Sequence, residues 1–94
     1  MTPIRWLPGA VDDLRRLHDF LTPHSLDAAN RAISTLLDAS ETLMSFPEKG
    51  KPLEFALNYR ELPVRFGSRG YVIRYRLHRN EVLIVRVWHA LENR

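Results

Sequence analysis

Residues 60–89 read RELPVRFGSRGYVIRYRLHRNEVLIVRVWH and decide the fold, because apolar and polar side chains alternate through most of this stretch. Alternation with a period of two is typical of strands that bury one face. We therefore predict three strands, at Arg60–Phe66, Tyr71–Leu77 and Val82–His89. The joints between them, 67–70 and 78–81, contain Gly, Ser and Asn, so the strands should pair as an antiparallel meander.

The first fifty residues predict one short strand and two helices. Thr2–Leu7 is mixed in character and ends at a Pro-Gly pair, which favours an edge strand. Ala10–Leu21 has apolar residues at helical spacing, and a second helix should be capped by Ser25 and end at Pro47. The order β-α-α-β-β-β predicts a single α+β domain over residues 1–94, an antiparallel sheet with a helical hairpin packed on one face.

Packing of the two helices against the sheet explains their apolar stripes, so no functional site is expected there. We expect Leu37 and Tyr75 to be core residues whose truncation to Ala costs about 2–5 kcal/mol. Asp12, Asp13 and Asp19 are expected to be solvated residues that favour the helix dipole. The stripe of the second helix comprises Leu26, Ala29, Ile33, Leu36, Leu37, Ser40, Leu43 and Met44.

Composition excludes several classes of protein. The chain has no cysteine, which excludes a disulfide framework or a Cys-based zinc site and suits a reducing cytoplasm. No apolar run approaches the roughly 18 residues of a membrane span, and the N-terminus does not resemble a signal peptide. The spacing of His, Asp and Glu predicts no metal site, and no Gly-rich phosphate loop is present, so we expect no cofactor.

Positive charge is concentrated in the second half of the chain. Residues 1–50 have a net charge of −2, whereas residues 51–94 have +5, and eight of the nine cationic residues there are Arg. Arginine favours planar contacts to carboxylates or phosphates. These charges could also be ordinary solvated surface residues, and the phase of the strands decides between the two interpretations.

Strand parity divides the side chains into two sheet faces. The inner face should present Leu62, Val64 and Phe66, then Tyr71, Ile73, Tyr75 and Leu77, then Leu83, Val85 and Val87. The outer face should present Arg65, then Val72, Arg74 and Arg76, then Ile84, Arg86 and Trp88. Four arginines on one face repel one another unless something anionic neutralises them. Two kinds of partner would supply this negative charge. One is RNA, whose phosphates contact the arginines and whose bases stack on Trp88, and the other is an acidic protein.

Several short motifs, in this order, resemble the RelE/ParE superfamily over residues 3–94. They are Ala10-x-x-Asp13-Leu14, Pro47-x-x-Gly50, Arg60-Glu61-Leu62, Tyr71-x-Ile73-x-Tyr75 and Val85-Arg86-Val87-Trp88-His89. The members are toxins of type II toxin–antitoxin, or plasmid stabilisation, modules. The resemblance implies a βααβββ fold and a growth-inhibiting toxin that a co-expressed acidic antitoxin neutralises in a hetero-oligomer.

The resemblance implies one of two mechanisms. ParE-like members bind DNA gyrase without chemistry of their own, and RelE-like members cleave mRNA in the ribosome without a metal. Val72 stands where the RelE-like pattern has an arginine, and no lysine pair matches, which favours the ParE-like action. A nuclease would use Arg65, Arg74 and His89, although strict alternation places His89 on the inner side. In either case the antitoxin or the target is expected to contact Arg65, Arg74, Arg76, Arg86 and Trp88.

Overall fold

A computed structural model describes residues 1–92, which form two helices and one five-stranded sheet. The elements are β1 (Ile4–Trp6), α1 (Pro8–Leu21), α2 (Leu26–Ser45), β2 (Lys51–Pro52), β3 (Tyr59–Val64), β4 (Tyr71–His78) and β5 (Glu81–His89). The strand order is β1-β5-β4-β3-β2. The predicted α+β fold, with its helical hairpin and antiparallel meander, is confirmed.

Two strand pairings go beyond the prediction of an antiparallel sheet. The edge strand β1 pairs with β5 in parallel, so the sheet is mixed. The segment predicted as a loop at 48–52 contributes the two-residue strand β2, which pairs with β3. Both pairings are two or three residues long, and so short a pairing leaves too little periodicity in the sequence to be recognised.

The helix ends follow the expected local chemistry. Pro8 occupies the first turn of α1, two residues before the predicted start, because proline lacks the amide hydrogen that is unpaired there. The Ser25 hydroxyl accepts a hydrogen bond from the Ala28 amide at 3.1 Å, which confirms Ser25 as the N-cap of α2. Across the hairpin, His18 Nε2 lies 2.8 Å from Asn30 Oδ1.

The core lies between the helical hairpin and the inner face of the sheet. The cluster comprises Ala10, Leu17, Ala32, Leu36, Leu43, Leu62, Val64, Tyr71, Ile73, Tyr75, Val82, Ile84 and Val87. Tyr75 is fully buried, as predicted, but Leu37 is 39% exposed and Leu26 is also exposed. Successive residues of a helix point about 100° apart, so when Leu36 faces the sheet Leu37 turns towards solvent.

A β-bulge in β5 reverses the parity that the sequence predicts for its first half. Arg74 lies opposite Arg86, whereas its neighbour Tyr75 lies opposite Ile84, which leaves Val85 as the extra residue. Val82 and Ile84 therefore join the core, and the prediction of Leu83 and Val85 on the inner face, with Ile84 outside, is wrong. Beyond the bulge, Val87 faces the core as predicted.

The hydroxyl of Tyr75 anchors the loop that follows α2. It donates to the Pro47 carbonyl and accepts from the Gly50 amide, each at 2.8 Å. A Cβ atom at position 50 would lie only 2.6 Å from this hydroxyl, so glycine is required there. Burial raises the pKa of Tyr75, which keeps the hydroxyl protonated and able to donate.

Within residues 1–92, neither helix is long and apolar enough to cross a membrane.

Two adjacent leucines test the orientation of α2. Leu36→Ala should lower the free energy of unfolding by about 2–5 kcal/mol, because it empties a fully buried position. Leu37→Ala, on the partly exposed side, should cost less than about 1 kcal/mol. Urea unfolding followed by circular dichroism measures both, and equal losses would contradict the orientation of the helix.

Candidate functional site

The outer face of the sheet, opposite the helices, carries most of the predicted site residues. The pairing register places Arg74 of β4 beside Arg86 of β5, and Val72 beside Trp88. Glu61 of β3 lies on the other side of Arg74. Arg74, Arg76, Arg86 and Trp88 are thus brought together on one face, as strand parity predicts.

Arg74 is held by a carboxylate of the neighbouring strand. Its Nε and Nη2 atoms donate to Glu61 Oε2 at 2.9 and 2.7 Å. Both side chains are partly buried, so this ion pair is less screened than one at an open surface. Glu61 is a candidate functional residue that the sequence does not predict beyond its place in the Arg60-Glu61-Leu62 motif.

Trp88 contacts two guanidinium groups. The Cζ atoms of Arg74 and Arg86 lie 4.9 and 5.1 Å from the centre of its ring system, both over the ring face. The indole is 8% exposed, so these cation–π contacts are largely shielded from water. The negative face of the ring stabilises two cations that would otherwise repel each other across adjacent strands.

Asp13 of α1 fixes the second of these arginines. Its carboxylate accepts from Arg86 Nε at 2.7 Å and from Arg86 Nη2 at 3.1 Å, and it also accepts from the backbone amide of Val87 at 2.8 Å. A weaker contact from Arg16 Nη2 measures 3.4 Å. These ion pairs and cation–π contacts connect five residues, which we call the Trp88 cluster: Glu61, Arg74, Trp88, Arg86 and Asp13.

The topology explains why Asp13 reaches the sheet. β1 pairs with β5 only from Val82 to Ile84, so the amide of Val87 is free on that edge of β5, and α1 covers it. The expectation that Asp13 is solvated is wrong, since it is 4% exposed. Its position three residues after Ala10 and four before Leu17, both buried, is the signal that could have identified it.

The ionisation of Asp13 reflects opposing effects. Burial raises the pKa of its carboxyl, but the hydrogen bonds from Arg86 and from the Val87 amide, with the positive charge of Arg86, outweigh burial. The net pKa lies below the ordinary value. The same hydrogen bond raises the pKa of Arg86, so the pair is charged throughout the neutral range.

The other two predicted arginines have no carboxylate partner within residues 1–92. The Arg76 guanidinium lies 5.7 Å from the centre of the Tyr59 ring, and its buried Nε has no hydrogen-bond partner among those residues. Arg65 is exposed and follows the last residue of β3. Arg65 and Arg76 are therefore the predicted site residues that an external anion would neutralise. Arg74 and Arg86 are already paired with Glu61 and Asp13.

An exposed aromatic residue extends the outer face. Arg74 Cζ lies 5.8 Å from the centre of the Phe55 ring, in the loop between β2 and β3. Most of the Phe55 side chain is in solvent. Phe55 is not predicted from the sequence, because loop residues have no periodicity that indicates which face of the sheet they join.

His89 lies on the other side of the sheet, as strict alternation predicts. It pairs with Tyr71 in register, and the two rings meet edge to face at 5.6 Å. Its Nδ1 atom accepts a hydrogen bond from the Leu91 amide at 3.2 Å. The structure therefore does not bring His89 together with Arg74. No group of three potential metal ligands occurs in the part of the chain that the structure describes.

A family model described as the ParE toxin of the type II toxin–antitoxin system parDE matches residues 4–94. This match identifies the class of protein as a RelE/ParE-superfamily toxin of a type II toxin–antitoxin system. The chain belongs to this ParE toxin family. Membership of the family implies a cognate antitoxin.

Curated relatives agree with this assignment, and a solved structure shares the fold. Toxin RelE3 of Caulobacter vibrioides is 39% identical over 87 residues, covering 93% of this chain and 92% of that protein. Toxin RelE2 of the same organism is 36% identical over 90 residues, covering 96% and 97%. A chain of the chromosomal ParDE TA system from P. aeruginosa shares the fold, with a TM-score of 0.81, 19% identity and coverage of 96% and 97%.

The effect of Asp13→Asn on the free energy of unfolding should depend on pH, because Asp13 forms an ion pair with Arg86. A folded-state pKa below the unfolded value means that the stabilisation is present above about pH 4, and is lost as pH falls through the folded pKa. At pH 7, Asp13→Asn should destabilise the fold by about 2–3 kcal/mol, because it leaves Arg86 without a carboxylate. The difference from the wild type should shrink below about pH 4.

The matched control is Asp12→Asn, since Asp12 is exposed and its ion pair with Arg15 lies at the surface. It should change the free energy of unfolding by less than about 0.5 kcal/mol at any pH. Urea unfolding at a series of pH values measures both variants. A constant difference between Asp13→Asn and the wild type from pH 7 to pH 3 would show that the carboxylate charge is not the stabilising feature.

Proposed function

We propose that this toxin inhibits growth by binding a target protein, DNA gyrase, and that its cognate antitoxin prevents this binding. The observation that carries the proposal is the Trp88 cluster, in which Glu61 and Asp13 hold two arginines against Trp88. A surface fixed in this way suits recognition, because few side chains lose freedom when a partner binds. The toxin and its target would meet in the cytoplasm.

The geometry of the nuclease candidates also favours binding over catalysis. Cleavage of RNA through its 2′-hydroxyl needs a base, an acid and a cation close to one phosphate. His89 projects to the inner side of the sheet, whereas Arg74 lies on the outer face and already contacts Glu61. A binding mechanism requires no such convergence.

The proposed contact surface is the outer face, comprising Arg65, Arg74, Arg76, Arg86 and Trp88, with Phe55 at its margin. Arg65 and Arg76 supply the cations that no described carboxylate matches. An acidic patch of the antitoxin or of gyrase would complement them, and exclusion of water from such contacts strengthens them.

The alternative mechanism is ribosome-dependent cleavage of mRNA. The basic and aromatic character of the outer face favours it, because guanidinium groups and indole rings both bind unstacked bases. Both of the curated relatives described above also carry RelE names.

A supercoiling assay separates the two mechanisms. The purified toxin should inhibit supercoiling by gyrase at micromolar concentration, and added antitoxin should restore it. In parallel, primer extension on mRNA from cells that produce the toxin should reveal no new 5′ ends. Unaltered supercoiling together with new 5′ ends would contradict the proposal and support the nuclease.

Arg65→Glu tests the contact surface without disturbing the cluster. Arg65 is exposed and has no partner within residues 1–92, whereas substitution of Arg74 or Arg86 would also break an internal ion pair. Reversal of its charge should weaken gyrase inhibition about tenfold, which corresponds to about 1.4 kcal/mol. Arg15→Glu, on the exposed side of α1, should have little effect. Equal potency of the two variants would exclude Arg65 from the contact surface.

A further inference from the structure

The loop at 53–58, between β2 and β3, exposes two large apolar side chains. Phe55 is 79% exposed and Leu57 is 87% exposed. Apart from Met1, no large apolar residue within residues 1–92 is more exposed than these two. Single exposed apolar residues are common on protein surfaces, but two within one short loop form a patch that burial against a partner would stabilise.

Hydrogen bonds at both ends hold the backbone of this loop in place. The Leu53 amide donates to the Tyr59 carbonyl at 3.0 Å, and the Tyr59 amide donates to the Ala56 carbonyl at 3.2 Å. Asn58 has a φ of 67°, and its carbonyl accepts from the Leu77 amide of β4 at 3.0 Å. The loop therefore presents its apolar side chains on an ordered backbone, so that little ordering is needed when a partner binds.

Phe55 connects the loop to the outer face of the sheet. The Cζ atom of Arg74 lies 5.8 Å from the centre of the Phe55 ring and 4.9 Å from the centre of the Trp88 ring system. One guanidinium group thus contacts both aromatic side chains. A partner that covers Phe55 would also reach the Trp88 cluster, so the loop and the cluster form a continuous surface.

The charges around the loop specify the charge of the partner. Lys51, just before the loop, is exposed and forms no ion pair within residues 1–92. Arg76, which pairs in register with Tyr59, likewise has no carboxylate partner among those residues. Glu54, the one charged residue of the loop itself, offsets only one of these two cations. A partner with net negative charge around its binding pocket therefore complements this region.

We infer that Phe55 and Leu57 insert into an apolar pocket of the target protein, and that acidic residues around this pocket face Lys51 and Arg76. The inference rests on the proposed function, since it takes gyrase as the target. In protein interfaces, a few anchoring side chains that fill pockets carry most of the binding energy. An unstacked nucleic-acid base fits the loop less well, because Leu57 has no aromatic face on which a base could stack.

Serine substitutions in the loop test the two anchors. Phe55→Ser and Leu57→Ser should each weaken inhibition of gyrase supercoiling at least about tenfold, because each removes a side chain that fills the pocket. Both side chains are largely in solvent, so both variants should fold, which near-ultraviolet circular dichroism checks. Phe46→Ser is the matched control, because Phe46 is 66% exposed at the end of α2, outside the loop. It should inhibit gyrase like the wild type.

Reversal of a neighbouring charge tests the acidic surroundings of the pocket. Lys51→Glu should weaken gyrase inhibition about fivefold, because the new carboxylate would repel those of the target. Arg15→Glu, on the exposed side of α1, is the control and should leave inhibition unchanged. A Lys51→Glu variant that inhibits gyrase as well as the wild type does, or better, would overturn the inferred charge of the partner.

The outcomes separate this inference from the proposed function. A wild-type toxin that does not inhibit gyrase would overturn both. A wild-type toxin that inhibits gyrase, with Phe55→Ser and Leu57→Ser equally potent, would overturn the inference alone.

Two further measurements identify a different occupant of the loop. Calorimetry that shows weaker antitoxin binding by both variants, with gyrase inhibition unchanged, would assign the loop to the antitoxin and overturn the inference. Binding of a fluorescent single-stranded oligonucleotide that Phe55→Ser abolishes and Leu57→Ser retains would assign the loop to nucleic acid and overturn it as well.

Discussion

The buried carboxylate of Asp13 is the interaction on which the arrangement of α1 and β5 depends. The strand β1 is too short to cover the edge of β5, so the amide of Val87 would be buried without a partner if α1 brought no acceptor. One oxygen of Asp13 supplies this acceptor, and both oxygens bind Arg86. Asp13 thereby joins α1, which covers the core, to Arg86 on the opposite face of the sheet. A displacement of α1 would therefore also displace the Arg86 side chain.

The charges on the outer face are largely balanced within the chain before any partner arrives. Glu61 and Asp13 neutralise Arg74 and Arg86, and the indole of Trp88 lies against both guanidinium groups. Such a surface attracts anions less strongly than four unpaired arginines would, but it presents a fixed shape. Recognition would then depend on complementarity of shape, with Arg65 and Arg76 providing the remaining positive charge.

Periodicity predicts this fold well wherever an element is long enough to show its period. The alternation from Tyr71 to Leu77 identifies β4 and places Arg74 and Arg76 on the outer face correctly. The bulge at Val85 is not predicted, because an extra residue in a strand changes the pairing without changing the composition. Asp13 was missed for a different reason: a carboxylate on an apolar stripe is assigned to solvent unless its partner, here 73 residues away at Arg86, is known.

The bulge in β5 also determines how this chain can tolerate a change in length. Removal of Val85 would leave Ile84 opposite Tyr75 and Arg86 opposite Arg74, so the pairing would become regular while Val87 and Trp88 kept their faces. Removal of a second residue from the same segment would turn the end of the strand over, so that Trp88 would enter the core and Val87 would face solvent. Related chains that are one residue shorter here should therefore keep the same two faces of the sheet.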